Sequence, residues 1–260
     1  MKYVGLQYTY NRVTYSLTEF KDAGRVVSKE TSLNCFHLPQ MTISPVEGEG
    51  FIGDMTQGGT CNVDLLTFTP HNITHLETSA HILAEGGKFV SDIPQLNLTG
   101  ICYLADLSHN TGDITLNDIK EVLDRIKLPI SHLAIKTRAS LLNTNYDFSG
   151  KDFLSITPEA AKEISRFQLN GEKVSILLLD LPSADPENDG GKLLTHRAFF
   201  EIPRKVHEFT DKTSKAIVEL AHFGDLEEGY YYCVLSPPRI RTNAVPVSVA
   251  LAMFSDNVQT

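Results

Sequence analysis

No stretch of this chain approaches the ~20 consecutive apolar residues that a bilayer-spanning helix needs, so a transmembrane protein is not expected. No basic segment followed by an apolar run opens it. Met1-Lys2-Tyr3-Val4-Gly5-Leu6 reads as a short strand rather than a signal peptide. Cationic charge is scarce: 23 Lys and Arg stand against 32 Asp and Glu, for a formal net charge of −9. Binding to a nucleic-acid backbone needs clustered cations, so that partner class is not expected. The four cysteines, Cys35, Cys61, Cys102 and Cys233, contain no Cys-x-x-Cys pair and read as buried free thiols rather than a disulfide framework. A cytoplasmic location is the matching expectation. Internal repeats, low-complexity tracts and the Gly-x-Ser-x-Gly elbow of serine hydrolases are missing as well. Tryptophan is absent altogether.

What is present is enough for a sizeable core. The chain has 260 residues, 42% hydrophobic and 21% charged, the balance of an ordinary globular protein. With no linker in view, residues 1–260 read as a single domain.

The most informative segment runs from Pro70 to Ile82. It holds His71, His75, Glu77 and His81, all at odd positions. Side chains alternate faces along an extended strand, so all four would share one face. On a helix Glu77 would be rotated roughly 200° from His75, which splits the group. Imidazoles and a carboxylate on one face form a ligand set for zinc, manganese or iron. Pro70 cannot donate to a ladder, so pairing is expected to begin after it.

Around this segment the pattern is α/β. Residues 1–60 read as strands and turns. Gly48-Glu49-Gly50-Phe51-Ile52-Gly53 formally matches Gly-x-Gly-x-x-Gly, but it neither follows a clear strand nor opens a helix, and is assigned to a loop. Residues 62–69 read as a strand leading into the histidines. Residues 101–107 read as a buried strand. Residues 115–127 have the apolar spacing of an amphipathic helix. Residues 132–138 return as a strand. Thr157 and Pro158 mark a helix start. Residues 174–181 (VSILLLDL) read as the central strand. Strand, helix, strand, helix, strand predicts an α/β fold with a mixed central sheet. Beyond it, Asp185 and Asp189 read as turn formers, whereas His196, bordering an apolar run, is a site candidate.

These residues resemble the signature of the cyclase-type metal-dependent hydrolases, a family that includes kynurenine formamidase (arylformamidase) and isatin hydrolase. The family motif is His-x-Gly-Thr-His-x-Asp-x-Pro-x-His. Here it stands as His71-Asn72-Ile73-Thr74-His75-Leu76-Glu77-Thr78-Ser79-Ala80-His81. The run Ile156-Thr157-Pro158-Glu159-Ala160-Ala161 resembles the family's helix start. Residues 216–226, which open Ala216-Ile217-Val218-Glu219-Leu220, resemble its Ile-Val-Glu-Asn-Leu stretch. The likeness is strongest over residues 55–250.

The resemblance implies a swivelling β/β/α fold and one or two divalent ions, zinc or manganese. Carried over position by position, it implies His71, His75, Glu77, His196 and Glu219 as ligands and His81 as the proton-transfer residue. The gap before Glu219 is longer than the family's and implies an insertion near residues 203–215, which leaves Glu201 and Glu208 as alternative late ligands. Glu77 stands where the family has aspartate, Ile73 where it has glycine, and Ser79 where it has proline. Kynurenine formamidases of the family stack a tryptophan on substrate; in this chain Phe20, Phe36 or Phe51 would have to substitute. The implied activity is hydrolysis of a small amide or formamide, as in the arylformamidase step of tryptophan catabolism. Two alternatives stay open: opening of a cyclic amide, imide or lactone, and a catalytically weak, metal-stabilised binding protein. A small-molecule substrate and a homo-oligomer, a dimer or larger, are the implied partners.

Overall fold

The computed structural model describes residues 6–10, 13–28, 35–142 and 146–255. Its centre is a nine-stranded mixed sheet. In chain order the strands are β1 (Lys21–Asp22), β2 (His75–Thr78), β3 (Thr99–Asp106), β4 (His132–Lys136), β5 (Ile176–Leu179), β6 (Ala216–Glu219), β7 (Gly229–Ser236), β8 (Ala244–Pro246) and β9 (Ser248–Met253). Their order across the sheet is β8-β2-β6-β5-β4-β3-β7-β9-β1. The four central strands β3 to β6 run parallel, and the flanking pairings are antiparallel. The first five residues of the expected amino-terminal strand lie outside the described residues, and Leu6 belongs to no strand.

Parallel neighbours need crossovers, and three helices follow the central strands: α1 (Leu116–Arg125), α2 (Pro158–Arg166) and α3 (Leu194–Phe199). Thr115 opens α1 through a capping box with Asp118, and Ile119, Val122 and Leu123 form its buried stripe. Thr157 caps α2, with Pro158 in the first turn. Both starts match the sequence signals.

The central strands are buried on both faces, which explains their near-continuous apolar runs. Leu133, Ile135, Leu177, Leu179 and Ile217 pack in one cluster with Ile119, Val122 and Ile164 of α1 and α2. Ala134, Ile176, Leu178 and Val218 point the other way. They share a second cluster with Val245 of β8 and Leu251 of β9, strands from opposite ends of the sheet. This second cluster runs along the other face of the sheet from one end to the other.

Three expectations are corrected here. Residues 71–81 are not one strand: only His75–Thr78 pairs, flanked by 3-10 turns at Pro70–Asn72 and Ser79–His81. The Gly-rich run is a small hairpin, Glu47–Gly48 against Phe51–Ile52, turning at Glu49 and Gly50 with φ of 46° and 85°, and it leads into no α-helix. Cys35, Cys102 and Cys233 are buried free thiols, but Cys61 is exposed. No described helix is long and apolar enough to cross a membrane.

Candidate metal centre

The centre forms where β2 lies against β6. In the antiparallel register His75 is directly opposite Glu219, and Glu77 is opposite Ile217. Opposed residues share a face, so the face that carries Ile217 into the helix-side core also carries His75, Glu77 and Glu219. The 3-10 turns at either end of β2 bend His71 and His81 over the same face. Their ring centroids lie 5.2 Å apart, and His71 stands edge-on to His75 at 4.6 Å.

His71, His75, Glu77 and Glu219 each offer one donor atom, and the four atoms lie within 4.8 Å of one another. His75 Nε2 is 3.5 Å from Glu219 Oε2 and 3.8 Å from Glu77 Oε2. These spacings exceed a hydrogen bond. They are what donors have when each sits ~2 Å from a shared ion. His71 Nδ1, His75 Nε2 and Glu77 Oε2 are buried without any hydrogen-bond partner. Each such atom costs about 1–3 kcal/mol when left unsatisfied, and a divalent ion among them would remove all three penalties. The donor set therefore fits a metal. His75 is oriented for this, because its Nδ1 sits 3.0 Å from the carbonyl of Ile73. That contact assigns the proton to Nδ1 and leaves Nε2 as the free lone pair. Glu219 is held from outside by the Ala184 N–H, 2.7 Å from Oε1.

His196, expected as a fifth ligand, is not among the four converging donors, because Glu77 takes up its Nε2. It lies on α3, with Nε2 hydrogen-bonded to Glu77 Oε1 and 3.5 Å from Glu219 Oε1. Its Nδ1 is 2.6 Å from Asp185 Oδ2. Asp185 also accepts the backbone N–H groups of Thr195 and His196, at 2.8 and 3.0 Å. One carboxylate thus fixes both the start of α3 and the ring it presents. The expectation that Asp185 merely forms a turn is corrected. Asp189 does act as a turn former, accepting from the Gly191 and Leu193 N–H groups. The sequence signal for Asp185 was slight: a carboxylate just beyond the carboxyl end of a buried strand, where α/β folds gather ligands.

The ionisation pattern follows from burial and charge. Burial, with His75 beside it, pushes His71 down to about 3, so it is neutral and ready to ligate. Burial lowers His75, but Glu219 and Glu77 outweigh it and bring it up to about 9, so without an ion Nε2 also holds a proton, which a bound metal would displace to use the lone pair. Burial also opposes charge on Glu77, yet His81 and His196 hold it well below the usual carboxylate range. Glu219 is raised by burial and by the Glu77 charge. Asp185, against the effect of burial, is lowered by His196. His196 is raised well above its ordinary value despite burial, by Glu77 and Asp185. His81 is the open member of the group, its side chain 24% exposed, with Nε2 3.7 Å from Glu77 Oε2.

The other candidates fall into place. Glu201 pairs with Lys215 at 2.6 Å, and Glu208 is exposed beside Glu85; neither reaches the cluster. Ile73 has φ −142° and ψ 172°, an extended conformation that does not need glycine. Ser79 uses its hydroxyl to bind Asp211 and to accept the Lys88 N–H, tying the end of β2 to residues 203–215. Of the three phenylalanines, Phe36 follows Cys35, whose thiol donates to the His71 carbonyl at 2.9 Å. Phe20 packs on Tyr232, and Phe51 is exposed on the hairpin.

The model of the Cyclase family, described as "Putative cyclase", matches residues 13–186. The fold is shared with several solved structures. One is described as a predicted metal-dependent hydrolase from Bacillus stearothermophilus, with TM-score 0.65 and 20% identity, covering 90% of this chain and 98% of that one. A second is described as a potential metal-dependent hydrolase with cyclase activity, at 0.68 and 20%, covering 91% and 98%. A third is isatin hydrolase A from Labrenzia aggregata bound to benzyl benzoate, at 0.66 and 13%, covering 91% and 94%. At these identities the likeness is one of fold.

Proposed function

The chain belongs to the cyclase family, and from that premise we propose that it is a metal-dependent hydrolase that cleaves a C–N bond of a small amide or formamide, as an arylformamidase does. The observation that carries this reading is the set of three buried, unpartnered donor atoms on His71, His75 and Glu77, converging with Glu219. These four residues would hold a divalent ion, zinc or manganese. Such an ion supplies Lewis acidity toward a carbonyl oxygen and toward water.

The remaining chemistry belongs to the chain. His81 Nε2, on the open side of the cluster, takes a proton from water and returns it to the leaving nitrogen. His196, clamped between Asp185 and Glu77, fixes the Glu77 carboxylate so that Oε2 faces the cluster. The Ile73 carbonyl holds the His75 tautomer. Of the three phenylalanines expected to replace a stacking tryptophan, Phe36 is the one whose chain neighbour, Cys35, bonds the His71 carbonyl. A second reading, opening of a cyclic amide, is favoured by the shared fold of isatin hydrolase and by that missing tryptophan. The same proposal carries a small-molecule substrate and a homo-oligomeric state, the latter checked by light scattering.

The test loads the protein with zinc or with manganese, verifies metal content by elemental analysis, and assays N-formylkynurenine, isatin and a cyclic-imide panel. Metal-dependent turnover of N-formylkynurenine supports the arylformamidase reading; turnover of isatin or an imide alone selects the cyclic-amide one. A folded, metal-loaded protein that turns over none of them overturns the hydrolase reading in favour of a binding protein.

A further inference from the structure

Arg25 follows β1 and is 7% exposed. Its backbone N–H donates to Thr74 Oγ1 at 2.8 Å, and its Nη2 donates to the carbonyl of Ala139, just past β4, at 3.2 Å. His222, just past β6, donates its backbone N–H to the Ala23 carbonyl at 2.8 Å. That bond joins His222 to the chain two residues before Arg25, whose charge, together with the larger effect of burial, lowers the His222 pKa. The guanidinium therefore lies at the carboxyl end of the parallel strands, against the segment that follows β4, the edge at which α/β sheets collect ligands.

A guanidinium has five N–H donors, and this one is largely unused. Arg25 Nε and Nη1 have no hydrogen-bond partner although both are out of solvent, and His222 Nδ1 is in the same condition. Asp180 acts on Arg25 through its charge but forms no ion pair with it. Its two oxygens are occupied by the N–H and hydroxyl groups of Thr137 and Ser140, at 2.7–3.0 Å. Burying N–H donors without acceptors is unfavourable, and the nearest carboxylate, Asp180, leaves the Arg25 Nε and Nη1 groups without one.

We propose that Arg25 and His222 form a carboxylate-binding site at the carboxyl edge of the sheet, with the free guanidinium N–H groups and the His222 ring N–H as donors. The choice of a carboxylate rests on the hydrolase reading, since cleavage of a formamide or lactam releases one. The site is separate from the four converging donors: Arg25 is anchored to Thr74, which precedes β2 and donates its hydroxyl to the Leu220 carbonyl, and neither Arg25 nor His222 belongs to that group.

The probes are sodium formate and sodium benzoate, titrated calorimetrically into metal-loaded protein in chloride-free buffer. Arg25→Met should weaken binding roughly tenfold to a hundredfold, the range for losing a charged hydrogen bond. Arg25→Lys should weaken it too, because an ammonium lacks the planar fork. Without carboxylate, Arg25→Met should melt at or above the wild-type temperature, and only the wild type should gain stability when carboxylate is added. Equal affinity in wild type and Arg25→Met overturns the site, as does a lower melting temperature of Arg25→Met without carboxylate, which would make Arg25 a structural prop for Ala139. Carboxylate binding that survives Arg25→Met but vanishes in His75→Ala places the anion on the metal cluster, overturning this site and leaving the hydrolase reading intact. Arg25-dependent binding in a protein with no hydrolase activity does the reverse.

Discussion

His196 Nδ1 lies 2.6 Å from Asp185 Oδ2, both groups almost wholly buried. The same imidazole binds Glu77 through its other nitrogen. Asp185 is thereby a positioning residue: it never meets the cluster but sets the ring that sets Glu77. Asp185→Asn keeps the volume and removes the charge that holds His196. Outer partners of this kind typically contribute about 10–100-fold to metal affinity or activity, so a loss of that size is expected in a metal titration and in kcat, together with a lower melting temperature of the metal-free protein, because the buried His196 loses its counter-charge. An unaltered metal titration would assign Asp185 only to the start of α3.

His75→Ala removes the lone pair at the heart of the four-donor group. Near-stoichiometric zinc or manganese should no longer bind, and added metal should no longer raise the melting temperature, because an ion that binds only the folded state adds its binding energy to folding. Elemental analysis after desalting, beside a thermal melt, gives both readouts. Retained metal would exclude His75 as a principal ligand.

The His81 side chain is 24% exposed and makes no hydrogen bond to the carboxylates. His81→Ala should keep its metal and lose turnover by ~10²–10⁴-fold, the usual contribution of general acid–base catalysis. Loss of metal along with activity would make His81 a ligand instead, and an unchanged rate would remove it from the reaction.

Far from the centre, burial pushes His132 at the start of β4 down to about 3, against an ordinary value of 6.5. The unfolded chain therefore takes up a proton at this position between those two values, while the folded chain does not. The His132 contribution is complete above pH 6.5 and is lost progressively as pH falls toward 3. At ~1.4 kcal/mol per pH unit the full span amounts to a few kcal/mol. Urea melts of metal-free protein from pH 7 to pH 4 should show stability falling with acid, and His132→Leu should flatten that slope. Parallel slopes for the two proteins would show that His132 is not buried as a neutral ring.

Much of the scaffold was legible from local pattern. Thr115 with Asp118, and Thr157 with Pro158, are short-range signals that act whatever the rest of the chain does, and both helices begin where they indicate. The central strand was placed correctly but trimmed to Ile176–Leu179, since apolar content reports burial and not the end of pairing. The parity of the histidines predicted convergence, and the four residues do converge, but by another route. Period two holds only for His75 and Glu77 within β2. His71 and His81 reach the cluster through 3-10 turns, which carry no distinctive apolar period.

The sequence by itself determined the chemistry on offer: imidazole and carboxylate donors gathered in one segment, no tryptophan, few cations, and the apolar periods of an α/β fold with a mixed sheet. The tertiary structure decided which donors meet. Glu219 faces His75 because of the β2–β6 register, and a slip of one residue would have turned it to the opposite face of the sheet. Asp185 became the partner of His196 because the loop after β5 folds back onto the first turn of α3, and Arg25 became a buried cation because three separate strand ends close around it. These are contacts between residues distant in the chain. They depend on packing and register, and no local pattern of residue types encodes them.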